Sequence, residues 1–130
     1  MTTQARQEPV WIERDVALAI HDRQLAEHGG GVGVRDENAF GSALARPINK
    51  WSYEDELVSL AAAYAFGVAR NHAFVDGNKR TAWVLARLLL ALNGVKLRFT
   101  GSEAIEIMLA LAAGELSEEE MAEWFRRHQG

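Results

Sequence analysis

Two long apolar runs with almost no charge constrain this chain more than any other feature. Residues 57–69 contain no charged side chain, and residues 81–92 contain one, Arg87. In the first run Leu57, Leu60, Ala61, Tyr64 and Val68 recur at helical spacing, which predicts a helix over about residues 54–71. The second predicts a helix over about residues 78–93, stopped by Gly94. A helix that is apolar on most sides has no face to give to water, so both are expected at the centre of the fold. Neither run reaches the roughly 18 apolar residues that a membrane span needs, so no membrane association is expected.

The remaining sequence supplies helices to wrap this pair. Val16, Ile20 and His21, with Gln24 nearby, share one face of a helix predicted over residues 13–28, which the glycines from Gly29 onward end. The glycine-rich stretch 29–33 reads as a loop. Asp36 can cap a second helix over residues 37–46, with Phe40, Ala43 and Leu44 inward; Pro47 ends it, and residues 48–53 follow as a connector. Residues 95–99 suit a short extended piece. Ser102 or Thr100 then caps a helix with Ile105, Met108, Leu109 and Ala112 on its inner face, stopped by Gly114. Ser117 and Glu120 form a capping box for the last helix. Its first turn carries Glu118, Glu119 and Glu120 and its last turn Arg126, Arg127 and His128, as the helix dipole prefers. The expected fold class is therefore all-α, a compact bundle of about six helices, with residues 1–130 forming a single domain.

Composition narrows the function. The absence of cysteine fits a reducing compartment and excludes thiolate catalysis, Cys-ligated zinc and a disulfide scaffold. With 14 Lys and Arg against 18 Asp and Glu, the net charge of −4 argues against a dedicated nucleic-acid binder. The opening residues 1–6 lead to Glu8 and Pro9 instead of an apolar core, so no secretory signal is expected and the expected location is the cytoplasm.

Chemistry-bearing side chains crowd between the two central helices, in Asn71-His72-Ala73-Phe74-Val75-Asp76-Gly77-Asn78-Lys79-Arg80-Thr81-Ala82. A helix N-terminus offers unpaired N–H groups and partial positive charge, which bind phosphate. Gly77 lets the backbone approach a ligand closely. Lys79 and Arg80 put full positive charge into a first turn, against the dipole, and an anionic ligand explains that better than helix stability does. Asp76 is placed to hold a magnesium ion against the phosphate. His72 can take a proton from an attacking hydroxyl. The residue types alone describe a phosphate site with a base beside it.

This segment is similar to the Fic signature, His-x-Phe-x-Asp/Glu-Gly-Asn-Gly-Arg-x-x-Arg. His72, Phe74, Asp76, Gly77, Asn78 and Arg80 match in place; Lys79 stands at the second motif glycine and Trp83 at the terminal arginine. Asn78-Lys79-Arg80 resembles the Doc (death-on-curing) branch of the Fic/Doc family. So do His21-Asp22-Arg23-Gln24, Val34-Arg35-Asp36-Glu37 and Ala43-Leu44-Ala45-Arg46-Pro47 in the N-terminal half and Leu92-Asn93-Gly94 beyond the motif.

The resemblance implies an ATP-dependent transferase with Mg²⁺. In it His72 is the general base, Asp76 binds magnesium, Gly77 and Asn78 hold phosphate oxygens, and Lys79 and Arg80 neutralise charge as the phosphorus–oxygen bond breaks. Most Fic proteins transfer AMP and hold the outer phosphate with the terminal arginine. Trp83 cannot do that, and Arg87 lies about one helical turn, roughly 5 Å, further on. The Doc branch implies phosphoryl transfer to a Ser/Thr hydroxyl of a translation factor, elongation factor Tu by analogy, and a toxin silenced by a Phd-like antitoxin whose disordered C-terminal segment folds on it. No self-inhibitory Ser/Thr-x-x-x-Glu-Gly/Asn motif is evident, so silencing is expected from a separate chain. The family also implies a flap that aligns the target peptide by strand addition, to which Ile48, Trp51 and Tyr53 in the connector are assigned. AMP transfer and a catalytically silent antitoxin-binding module are the alternatives.

Several residues read more simply. His21 is expected to be a packed, hydrogen-bonded histidine, and His28 and His128 surface or helix-end residues. Arg87 is expected in a structural ion pair. Trp11, Trp51, Trp83 and Trp124 are expected to anchor the core or an interface. His72 and Asp76 as metal ligands at i,i+4 spacing would need a helix continuing through Gly77 and a third ligand, and neither is expected.

Overall fold

The computed structural model describes residues 7–130, apart from the side chain of Ala112. The expected lack of a secretory signal concerns residues 1–6, outside the described residues. Six helices make up the described fold: α1 (Arg14–His28), α2 (Glu37–Trp51), α3 (Leu57–Asn71), α4 (Asn78–Leu92), α5 (Gly101–Ala112) and α6 (Glu118–Arg127). Among the described residues no strand forms, and the all-α expectation holds; two isolated antiparallel bridges occur, Val34 with Phe74 and Leu97 with Gln129.

The two apolar runs lie where their composition puts them. From Val58 to Ala69 every residue of α3 except Phe66 is buried. α3 packs against α4, α2 and α6, so its small residues face neighbours on most sides. At Gly67 an added Cβ would lie 3.5 Å from the Ala43 Cα, which shows how closely α2 approaches. Tyr64 is fully buried and its hydroxyl donates to the Ile12 carbonyl at 3.2 Å; burial pushes the phenol pKa up to about 12. Asn93, just past α4, pairs with both the N–H and the carbonyl of Val10 and so fastens the segment that precedes α1.

Four expectations are corrected. The inner face of α1 carries Ala17, His21 and Leu25, while Val16 is 43% exposed. The inner face of α5 carries Ile107 and Leu111, while Ile105 and Leu109 are 60% and 64% exposed; Thr100 is its cap, through a capping box with Glu103. In both helices apolar residues occur on more than one side, and only the position of the neighbouring helix selects the buried one.

Third, Pro47 does not end α2, which runs on to Trp51 with Pro47 buried inside it. A proline removes one i→i−4 bond. Here the last turn is held from outside: Trp51 meets Trp11 edge-on, and Lys50 Nζ donates to Glu118 and to the Ser59 carbonyl. Of the residues assigned to the flap, Ile48 and Trp51 are helical and Tyr53 stands in the turn that follows.

Fourth, Arg87 makes no ion pair among the described residues. Its guanidinium lies over Trp83 and Phe99, 5.7 and 5.1 Å from the ring centroids. At an exposed site such a contact contributes about 0.5–1 kcal/mol and leaves the charge in water.

Glu118, in the first turn of α6, ties α6 to α2: it accepts from Arg46 Nε at 2.7 Å and Lys50 Nζ at 2.8 Å. Burial acts to raise its pKa, but the hydrogen bonds from Lys50 and Arg46 outweigh it, and the net direction is down. A carboxyl whose pKa is lowered by folding contributes stability above its unfolded pKa and loses it as pH falls through the folded value. Glu118→Gln is therefore expected to cost about 1–2 kcal/mol at pH 7. The cost should shrink below about pH 4, where the unfolded carboxyl is protonated, as urea unfolding at both pH values will test.

Candidate active site in the loop between the central helices

α3 and α4 pack side by side, so the six residues between them must reverse the chain. Two left-handed residues bracket that reversal: His72 (φ 49°, ψ 49°), the C-cap of α3, and Gly77 (φ 76°, ψ 18°), the N-cap of α4. Glycine adopts this conformation freely. His72 is the only non-glycine residue with positive φ among the described residues. Such a conformation costs about 1–2 kcal/mol in an L-residue and persists only where surroundings hold it. Arg35 Nε donates to the His72 carbonyl at 3.0 Å, and the N–H groups of Arg35 and Asp36 donate to the Ala73 carbonyl.

The loop is closed from within and from below. Asn78 pairs with the Phe74 peptide twice, its Oδ1 accepting the Phe74 N–H and its Nδ2 donating to the Phe74 carbonyl, both at 3.0 Å. Both side-chain polar atoms of Asn78 are thus engaged in the loop, and what it keeps for an anion is the second Nδ2 hydrogen and its backbone N–H. Phe74 is fully buried, stacked on the His21 ring (3.7 Å, 9°) and tilted against Phe40. Ala73 is also buried, so the loop alternates residues that anchor it with residues that face water.

His72, Val75, Asp76, Lys79 and Arg80 are the exposed ones. They line a cleft of about 530 Å³ with Gly77, Asn78 and, across it, Met108 and Leu109 of α5. The first intrahelical bond of α4 runs from the Thr81 N–H to the Gly77 carbonyl, so the N–H groups of residues 78–80 precede the ladder. Gly77 provides no side-chain cap. Lys79 and Arg80 have no ion-pair partner among the described residues, and neither does the His72 imidazole have a hydrogen-bond partner there. One Asp76 oxygen accepts the Gly31 N–H at 3.1 Å. A single further carboxylate oxygen suits magnesium, which is held by one or two carboxylates and completed by phosphate oxygens and water. No cluster of three or more His, Asp or Glu side chains that could hold a metal ion occurs among the described residues. A second cavity, of about 500 Å³, lies between residues 7–10 and the ends of α2 and α4; its lining has no Lys, Arg or His and includes Glu8 and Asp55, the wrong sign for phosphate.

A model of the Fic/DOC family matches residues 11–90, from before α1 almost to the end of α4. The chain is 33% identical over 121 residues to the Protein kinase doc of Escherichia phage P1, covering 92% of this chain and 95% of that one. The chain belongs to the Fic/Doc family. It is also 46% identical over 72 residues to the Toxin Doc of Mycolicibacterium smegmatis, covering 53% of this chain and 55% of that relative.

Within this Fic/Doc chain the residues at and beyond the motif's end face away from the cleft. Trp83 is 6% exposed and packs against Phe99, Trp124 and Phe125. Arg87 borders a separate depression with Ala91 and residues 94–97. Four positions that the residue pattern did not single out belong to the site's support. Gly30 and Gly31 pass so close to the loop that an added Cβ would meet Asp76 Cβ at 3.1 Å or Val75 Cγ1 at 2.9 Å. Arg35 holds the His72 carbonyl, and Val34 bridges to Phe74. Two signals were available: the run of glycines, since glycine often marks a close backbone approach, and the family-like Val34-Arg35-Asp36-Glu37. Among the described residues no helix is long and apolar enough to cross a membrane.

Proposed function

We propose that this chain is a Doc-type toxin that transfers the γ-phosphoryl group of ATP to a Ser or Thr hydroxyl of a translation factor, elongation factor Tu by family analogy, and so inhibits translation in the cytoplasm. The observation that carries the reading is the cleft itself: an exposed imidazole, a carboxylate and two cations without ion-pair partners among the described residues, gathered at the start of α4, which no side chain caps. The names of the two relatives, a toxin and a protein kinase, point the same way.

In this reading His72 accepts the proton of the target hydroxyl as that oxygen bonds to the γ-phosphorus, and the bond from phosphorus to the bridging oxygen breaks to release ADP. Lys79, Arg80 and the N–H groups of residues 78–80 balance the charge on the transferring and leaving oxygens. Magnesium, held by Asp76 and phosphate oxygens, supplies further charge neutralisation when bound. Phosphoryl transfer is favoured over AMP transfer because the side chain at the motif's last position, Trp83, is packed into the core and Arg87 is turned elsewhere. An antitoxin with a Phd-like disordered segment is the proposed silencing partner, and residues 1–130 are proposed to act as one domain.

Label transfer tests the reading. The purified chain, magnesium and a bacterial lysate are incubated with ATP labelled at the γ or, in parallel, the α phosphate. Label on a protein from the γ position alone is expected. Label from the α position would make the chain an AMP transferase, and label from neither would favour a binding module.

A further inference from the structure

His21 lies far from the motif in sequence, yet its side chain is 1% exposed and directly under the loop. Its Nε2 is 2.8 Å from the Asp76 carbonyl oxygen. A carbonyl only accepts, so Nε2 carries the hydrogen. The ring lies flat on Phe74 at 3.7 Å, which sets the direction of that N–H. The peptide whose oxygen it holds joins Asp76, the magnesium-site carboxylate of the proposed reaction, to Gly77, the left-handed cap of α4. Rotating that peptide would move the Asp76 side chain and reorient the N–H groups that follow. Burying a polar ring without a partner is unfavourable, so this contact also explains why a histidine is accommodated in the packed face of α1.

We propose that His21 is a positioning residue: its Nε2–H, aimed by the stack on Phe74, fixes the Asp76–Gly77 peptide and thereby the carboxylate and the first-turn N–H groups of the cleft. The assignment of a catalytic consequence rests on the phosphoryl-transfer reading; the control of loop conformation does not.

The test compares His21→Gln with His21→Met. Gln places an N–H the same number of bonds from the backbone as Nε2, and Met matches its length and flexibility without a donor. Turnover is read by label transfer from γ-labelled ATP, and loop conformation by the backbone amide resonances of residues 77–80 without nucleotide. His21→Gln should stay within about threefold of wild-type kcat, and His21→Met should fall roughly 10–100-fold, the usual effect of losing a partner that orients a metal ligand. The amides of 77–80 should shift in His21→Met and remain close to wild type in His21→Gln. Equal turnover in the two variants, or unshifted amides in His21→Met, would overturn the proposal. If His21→Met does not fold, His21→Asn, whose amide is too short to reach the carbonyl, replaces it. If the wild-type chain transfers no label, the phosphoryl-transfer reading fails, and the amide resonances alone decide whether His21 sets the loop.

Discussion

His72→Ala is expected to lose label transfer by about 10²–10⁴-fold, the range for removing a general base, and expression of the variant is expected no longer to slow growth. The expectation rests on placement. His72 is exposed in the cleft, its imidazole has no partner among the described residues to hold it out of reach, and its backbone is held in the left-handed region by contacts to its own carbonyl and to the Ala73 carbonyl. Those contacts come from Arg35 and Asp36 and survive removal of the imidazole. The fold should therefore persist, with an unfolding midpoint within a few degrees of wild type. His72→Asn is the control for backbone conformation, since Asn tolerates positive φ better than Ala. Both variants should be inactive. Transfer retained by either would place the base elsewhere and remove the main support for the proposed mechanism.

Phe74→Ala is expected to have the largest effect on stability. The ring is fully buried between His21 and Phe40. Truncating a buried Phe costs about 3–5 kcal/mol, a large share of the roughly 5–15 kcal/mol that holds a domain together. For a chain of 130 residues that corresponds to a fall in Tm of about 10–20 °C. The urea midpoint should fall with little change in slope. Because His21 would lose the surface that aims its N–H, transfer measured well below the new midpoint should fall as well. A Tm unchanged within a few degrees would mean that Phe74 is not packed as described.

These two residues also mark what could be read in advance. His72, Asp76, Lys79 and Arg80 were legible because a polar cluster between two nearly uncharged helical runs has few structural uses, and cations in a helix's first turn oppose the dipole. Asn78 was legible as part of the motif but not in its contacts. Only the folded loop shows that the Phe74 peptide takes both polar atoms of its side chain. Pro47 illustrates the opposite case. Its local preference to stop a helix is real, but Trp51 and Lys50 anchor the following turn to partners far along the chain, and those contacts outweigh the lost bond.

What the sequence determined by itself is the helical class, the central place of α3 and α4, a cap at Ser102 or Thr100, the capping box at Ser117, and the clustering of the candidate site residues in 72–80. Each depends on periodicity, local hydrogen bonding or residue type within a few positions. What only the tertiary structure decided is which face of α1 and α5 turns inward, how far α2 runs, and how the motif loop is held. Residues 30–36 grip it at His72, Ala73, Val75 and Asp76, and His21 supports it from below. These contacts join residues about 40 or more positions apart, and no local pattern records them. They exist because packing α1 against α4 brings a buried imidazole and a glycine-rich strap against one peptide and one carboxylate.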